Sequence, residues 1–200
     1  MLKKISSSVA PKQVINALIT LFHQGKIEDI LSRAPKILEE YPNTPILYNI
    51  LGTISVEKGQ KLKAANYFRK TIELLPEDPD AYNNLGTVLN DLQENQEALI
   101  SIKKAIALKP DYAEAYNNLG NIYKEQKNYK KAITNYKKAI KIKPTYYEAH
   151  NNLGVLYKKI KNYPSALKSI YKALNINANS PQVINSLASL YFELKDYQKS

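Results

Sequence analysis

Three pairs of asparagines, Asn83–Asn84, Asn117–Asn118 and Asn151–Asn152, recur at an interval of 34 residues. Asn49 and Asn185 extend the first column of the ladder, and Asn16 stands in the second. A primary amide offers both donors and an acceptor. Amides held in register can therefore grip the main chain of an extended peptide with little regard for its side chains. Asparagine is a poor residue for a helix interior, because its side chain competes for backbone hydrogen bonds. Its repeated use in segments of helical pattern asks for a reason. Asn121, Lys124 and Lys158 lie in the same segments, and the two lysines, one repeat apart, would favour an acidic ligand. The candidate peptide-binding set is thus Asn83, Asn84, Asn117, Asn118, Asn121, Lys124, Asn151, Asn152 and Lys158. The competing reading is that these amides bond only between neighbouring helices and that the lysines are merely solvated.

Little else in the chain is equipped for chemistry. There is no cysteine, so disulfides, thiolate metal sites and thiol nucleophiles are excluded. Of the two histidines, His23 falls near the end of a first helix, where it is expected to be exposed. His150 takes the packing slot filled elsewhere by Tyr48, Tyr82 and Tyr116, and is read as a core residue. Neither a phosphate-binding glycine loop nor a nucleophile elbow is present. The expectation is no catalytic residue, no metal and no cofactor. No run approaches the ~18 apolar residues of a membrane span. The opening MLKKISSSVAP has basic residues without an apolar stretch behind them, so a cytoplasmic protein is expected. The net charge is +11, and +10 of it falls in residues 113–200. That asymmetry makes nucleic-acid binding a conceivable alternative, but Lys130, Lys131, Lys137, Lys138 and Lys141 take polar helix slots expected to face solvent. Sixteen tyrosines could stack bases, yet many, such as Tyr123 and Tyr136, fall in packing columns.

The elements that must position the amides keep the same interval. Pro42, Pro76, Pro110 and Pro144 are each 34 residues apart; Gly52, Gly86, Gly120 and Gly154 follow the same spacing, as do Ala64, Ala98, Ala132 and Ala166. A period of this size marks a stack of small supersecondary units. Each unit reads as helix, polar turn, helix, proline. From Ala113, the residues Tyr116, Leu119, Gly120 and Tyr123 form one apolar stripe; Ala132, Ile133, Tyr136, Ala139 and Ile140 form the next. Pro144 then stops the second helix, having no N–H to donate. Mid-helix glycine costs about 1 kcal/mol against alanine, so the four in register predict close approach of the paired helix that carries Ala64 and its equivalents. Gly25 and Gly59 fall in inter-helix turns, where positive φ is useful. Pro35 alone falls inside a predicted helix, which should be kinked or shortened.

The pattern Tyr–x–x–Leu–Gly–x–x–Tyr, followed by alanine, an aromatic, alanine and proline, resembles the tetratricopeptide repeat. The likeness covers nearly the whole chain. It is strongest over 79–146 and weakest over 11–44, where Ala17 and Leu18 replace the Leu–Gly pair. It implies an all-α fold, a right-handed α-solenoid or superhelix whose first helices line a concave groove. The expected organisation is an N-terminal extension over 1–10, a degenerate repeat over 11–44, and repeats over 45–78, 79–112, 113–146 and 147–180. A partial sixth repeat would occupy 181–200, with a first helix over 181–194. KDYQKS at 195–200 repeats the turn and second-helix opening seen in KNYKKA at 127–132, so Ser200 is expected to be a cut.

The Asn–Leu–Gly repeats also resemble the asparagine ladder in the arms of O-linked N-acetylglucosamine transferases, which implies ladder roles for Asn84, Asn118 and Asn152. Ile50 and Ser186 break that column at its ends. The carboxylate clamp of chaperone-binding repeats is not supported, because Asn49, Asn83, Asn117 and Asn151 stand where its leading lysine would be. The expected function is a non-catalytic protein-interaction scaffold holding a peptide or protein partner in its groove. Alternatives are a recognition arm preceding a glycosyltransferase or sulfotransferase domain, and nucleic-acid binding through the basic part. Oligomerisation through the uncapped C-terminal end is a further expectation.

Overall fold

A computed structural model describes residues 9–197; the expected extension over 1–10 lies mostly outside them, and Ser200 wholly so. Among the described residues the chain forms helices joined by short turns, with no strand. It divides into two compact units at Leu108/Lys109. The first unit holds α1 (Lys12–His23), α2 (Ile27–Glu40), α3 (Pro45–Glu57), α4 (Lys61–Leu74), α5 (Pro79–Asp91) and α6 (Asn95–Leu108). The second holds α7 (Ala113–Glu125), α8 (Tyr129–Ile142), α9 (Tyr147–Lys159), α10 (Tyr163–Ile176) and α11 (Pro181–Tyr197).

The odd-numbered helices are the first helices of each repeat, and the even-numbered ones are their partners. What locks each pair is the glycine column. A Cβ placed on Gly120 would sit 2.5 Å from the Tyr136 ring, and one on Gly52 would sit 2.5 Å from the Phe68 ring. Ile102 and Ile170 take the same place over Gly86 and Gly154. The large side chain one turn beyond the alanine therefore fills the space that the glycine leaves. The alanines themselves are fully buried beneath it.

The turns end the first helices by a shared device. Asn128 N–H donates to Tyr123 O at 2.8 Å and Lys127 N–H to Lys124 O at 3.0 Å, with Lys127 at φ 59°. This satisfies the last carbonyls of α7 through a left-handed residue. Gly25 (φ 67°) and Gly59 (φ 70°) fill that slot in the first two repeats, as expected, while Gln93 (φ 65°) and Lys161 (φ 59°) fill it in others. Lys195 is the next residue in the column, and there the structure differs from expectation. α11 runs on through it to Tyr197 instead of ending near 194. A left-handed non-glycine residue costs about 1–2 kcal/mol, and among the described residues no second helix follows to offset it.

Pro35 falls inside a helix, as expected, but of the kink or shortening expected there the shortening does not occur. α2 is 14 residues long, the same as α4, so the proline does not shorten it. Pro35 is exposed and removes the N–H that would otherwise donate to the Leu31 carbonyl.

Candidate functional site

The paired asparagines separate into two kinds of position. Asn83, Asn117 and Asn151 are buried, at 7%, 5% and 1% exposure, and cannot line an open groove. Asn84, Asn118 and Asn152, one residue on and 100° round the helix, are half-buried. Within the second unit, Asn152 Nδ2 on α9 donates to Asn117 Oδ1 on α7 at 2.9 Å. Within the first unit, Asn84 Nδ2 on α5 reaches Asn49 Oδ1 on α3 at 3.5 Å, a weaker contact. The outer amide of one repeat thus leans onto the inner amide of the repeat before it, an interval of 35 residues rather than 34.

This corrects the sequence reading twice. Asn83, Asn117 and Asn151 are inner residues, not groove residues. Asn84 and Asn152 do have a packing role, since they tie neighbouring first helices together. A single such bond uses one of the two N–H groups of Asn152. Asn151 shows what happens where the ladder stops. Its Oδ1 is buried with no partner, because the next residue in the outer column is Ser186, whose Oγ bonds back to Gln182 O at 2.9 Å.

Family models of the tetratricopeptide repeat match residues 67–100, 86–127, 120–161 and 147–180. The chain belongs to the tetratricopeptide repeat family. Among solved structures it is similar to MamA, at 29% identity and TM-score 0.68, over 80% of this chain and 93% of that one. It is similar to YrrB, described as a tetratricopeptide protein with an unusual peptide-binding site, at 25% identity and TM-score 0.66, over 87% and 90% of the two chains. A thermophilic tetratricopeptide protein of Thermus thermophilus shares the fold at 21% identity and TM-score 0.76, covering 92% of this chain and 100% of its own. Among curated proteins, none matches the sequence.

In this tetratricopeptide protein the remaining candidates fare differently from one another. Asn121 Oδ1 accepts the Tyr136 hydroxyl at 2.7 Å, and burial pushes that phenol well above its ordinary value. Lys158 does not face a ligand freely. Its Nζ donates to Ser189 Oγ on α11 at 2.7 Å and stands 3.9 Å from Glu193. Lys124 occupies the same column one repeat earlier, and the residue corresponding to Ser189 is there Val155. Among the described residues no carboxylate forms an ion pair with Lys124, and burial holds its ammonium below the usual lysine range; Glu125 opposes that shift and Lys159 adds to it. His150 is buried at 9% exposure, as its slot implied. Its Nε2 lies 3.0 Å from Pro144 O, matching the bond from the Tyr48 hydroxyl to Pro42 O at 2.9 Å.

Nothing in the sequence marked Ser189 or Asn49 as partners. Each lies about one repeat away but off the 34-residue register, at intervals of 31 and 35 residues. Aligning columns finds equivalent residues, not the residues that touch. No helix of the described residues is long and apolar enough to cross a membrane.

Proposed function

We propose that this protein is a non-catalytic interaction scaffold, and that the exposed side of its first helices holds an extended peptide. In the second unit the residues offered for this are Asn118, Asn121, Lys124 and Asn152; in the first, Asn84 stands in the matching place. The observation that supports the reading most is the fixed orientation of Asn152. Its bond to Asn117 at 2.9 Å pins the amide while leaving one N–H and the carbonyl oxygen for a ligand. Preorganised polar groups bind without a further ordering cost. Lys124 adds a half-buried cation that forms no ion pair among the described residues, which suits a carboxylate or a carbonyl on the ligand. YrrB, which shares the fold and has an unusual peptide-binding site, is consistent with peptide recognition on such a surface.

The test separates the groove role from the packing role. A peptide array screened with the wild type supplies a ligand, and calorimetry then compares Asn152→Ala with Asn117→Ala. Each lost hydrogen bond is worth about 1 kcal/mol. Asn152→Ala combined with Lys124→Met should weaken binding by about tenfold or more. Asn117→Ala should lower the denaturation midpoint but leave most of the binding. If Asn152→Ala/Lys124→Met binds as well as wild type, the first-helix amides are not the site.

A further inference from the structure

The opposite side of α9 carries a second feature that the groove does not use. On a helix advancing 100° per residue, His150, Leu153 and Tyr157 face away from Asn152 and Val155. They form the floor of a cleft of about 710 Å³ that α8 and α10 enclose. That volume falls within the range of sites that take small ligands or peptide side chains. Ile140 completes an apolar floor, and the rim is made by Lys137 of α8 with Lys168 and Lys172 of α10. Among the described residues no aspartate or glutamate lines it. Among the described residues none of these three lysines takes part in an ion pair.

The first unit shows what this position looks like when its charge is balanced. Arg69 holds the place of Lys137 one unit earlier in the array, two repeats back. It is paired with Glu97 at 3.2 Å and Glu94 at 3.8 Å. Lys104 holds the place of Lys172, reaching Glu77 at 3.9 Å and the Tyr82 ring at 6.0 Å. In the second unit the residues corresponding to Glu97 and Glu94 are Ser165 and Asn162, and the residue corresponding to Tyr82 is His150. At these positions the second unit keeps two cations, adds Lys168 where the first unit has Ile100, and lacks the carboxylates. Carboxylates from outside would replace them.

The geometry points to a second ligand site in this cleft, for an acidic peptide segment carrying an apolar residue between its carboxylates. The apolar side chain would rest on Ile140, Leu153 and Tyr157, and the flanking carboxylates would meet Lys137, Lys168 and Lys172. Apolar burial supplies affinity, and the cations supply preference and encounter rate. Ile140 and Leu153 give the floor an aliphatic patch that suits a peptide side chain, whereas Tyr157, Tyr171 and His150 are rings on which a base could stack, so an oligonucleotide is the rival ligand to test.

The experiment uses fluorescence anisotropy on the full chain with the labelled peptide EEDFLEE. Two controls are KKNFLKK, with reversed charge, and EEDGSEE, without the apolar anchor. EEDFLEE should bind, KKNFLKK should not, and EEDGSEE should bind roughly tenfold more weakly. Ser165→Glu restores a carboxylate opposite Lys137, as Glu97 stands opposite Arg69; it should weaken EEDFLEE binding by about tenfold or more, with the melting temperature unchanged or raised. Lys168→Gln/Lys172→Gln should show the same loss. Lys141→Gln, at an exposed position of α8 outside the cleft, should leave it unchanged. The proposal is overturned if Ser165→Glu binds like wild type, or if an oligothymidine binds more tightly than EEDFLEE. It is equally overturned if Lys124→Met abolishes binding, which would place the acidic peptide on the first helices and leave the groove reading standing.

Discussion

The two units build the same helical hairpins with very different charge. Residues 1–108 carry 13 basic and 12 acidic residues, whereas residues 109–200 carry 16 and 6. In the first unit lysine and arginine reach across repeats to carboxylates, as in Lys58–Glu28 at 2.9 Å and Arg69–Glu97 at 3.2 Å. In the second, Lys143–Glu114 at 2.8 Å stays within one repeat, Lys158 reaches Glu193 across one only at 3.9 Å, and Lys131 and Lys138 lie over the Tyr123 and Tyr116 rings at 5.3 and 5.7 Å. Exposed ion pairs contribute about 0–1 kcal/mol each. Losing several therefore leaves the fold intact and changes mainly the field that a partner meets. Glycine and alanine columns carry the scaffold; exposed columns are where the units diverge.

If the scaffold is common, breaking it should cost the same in either unit. Gly120→Leu drives a side chain into the Tyr136 ring, and Gly86→Leu drives one into Ile102, where even a Cβ would come within 2.6 Å. Overpacking of a buried site costs about 1–3 kcal/mol and more when the neighbour cannot move. Both variants should lose about 3 kcal/mol or more in denaturant melts. Lys131→Leu, at an exposed position of α8, should lose far less. A large loss in one unit and a negligible one in the other would mean that the two glycine contacts are not equivalent.

The asparagine ladder sharpens the comparison at the level of single bonds. Asn49 and Asn117 accept from the next repeat, whereas the buried Asn151 Oδ1 has no partner. Leaving a buried acceptor unsatisfied costs about 1–3 kcal/mol. Ser186→Asn supplies the missing donor at the position equivalent to Asn152. The denaturation midpoint should rise by the equivalent of about 1 kcal/mol, and Asn151→Ala in that background should cancel the gain. No rise from Ser186→Asn would show that the Asn151 oxygen is satisfied by water.

Much of this architecture was legible in the sequence, because periodicity reports on packing. The positions of Gly52, Ala64, Tyr136 and Pro144 each state a steric requirement that repeats with the fold, and the hairpins follow. Four features were wholly or partly hidden. The left-handed turn residue is glycine in only two repeats, so Gln93, Lys127 and Lys161 carry no compositional mark. The α11 continuation through Lys195 carries no mark either, since lysine also fills the left-handed slot at Lys127 and Lys161. The inner and outer amides of the ladder differ by one residue, or 100° of helix surface, and a column of Asn–Asn pairs gives no sign of which member faces inward. The unpaired lysines of the α8–α10 cleft were visible as charges but not as a cluster, since Ser165 becomes informative only once Glu97 is seen against Arg69.

The smallest expected effect concerns the one column where the units exchange a neutral ring for a titratable one. Tyr48 and His150 make equivalent bonds to the carbonyls of Pro42 and Pro144. Burial lowers the His150 pKa from its ordinary 6.5; the bond to Pro144 opposes that shift, and the charge of Lys172 adds to it. Lys137 and Lys168 line the same cleft, so every nearby charge on α8 and α10 works against an imidazolium. A depressed histidine pKa means that the unfolded chain takes the proton first. Stability is then full above pH 6.5 and declines as the pH falls from there toward the lower folded-state value, with a slope of at most ~1.4 kcal/mol per pH unit for one proton. His150→Tyr places the first unit's residue in the second. It should leave stability near neutral pH within about 1 kcal/mol of wild type, and it should remove the decline between neutral and mildly acidic pH. Urea melts at several pH values read both quantities. A decline that persists unchanged in His150→Tyr would assign the acid sensitivity to the carboxylates of the first unit's ion pairs instead, and the two units would then differ in charge without differing in how they respond to protons.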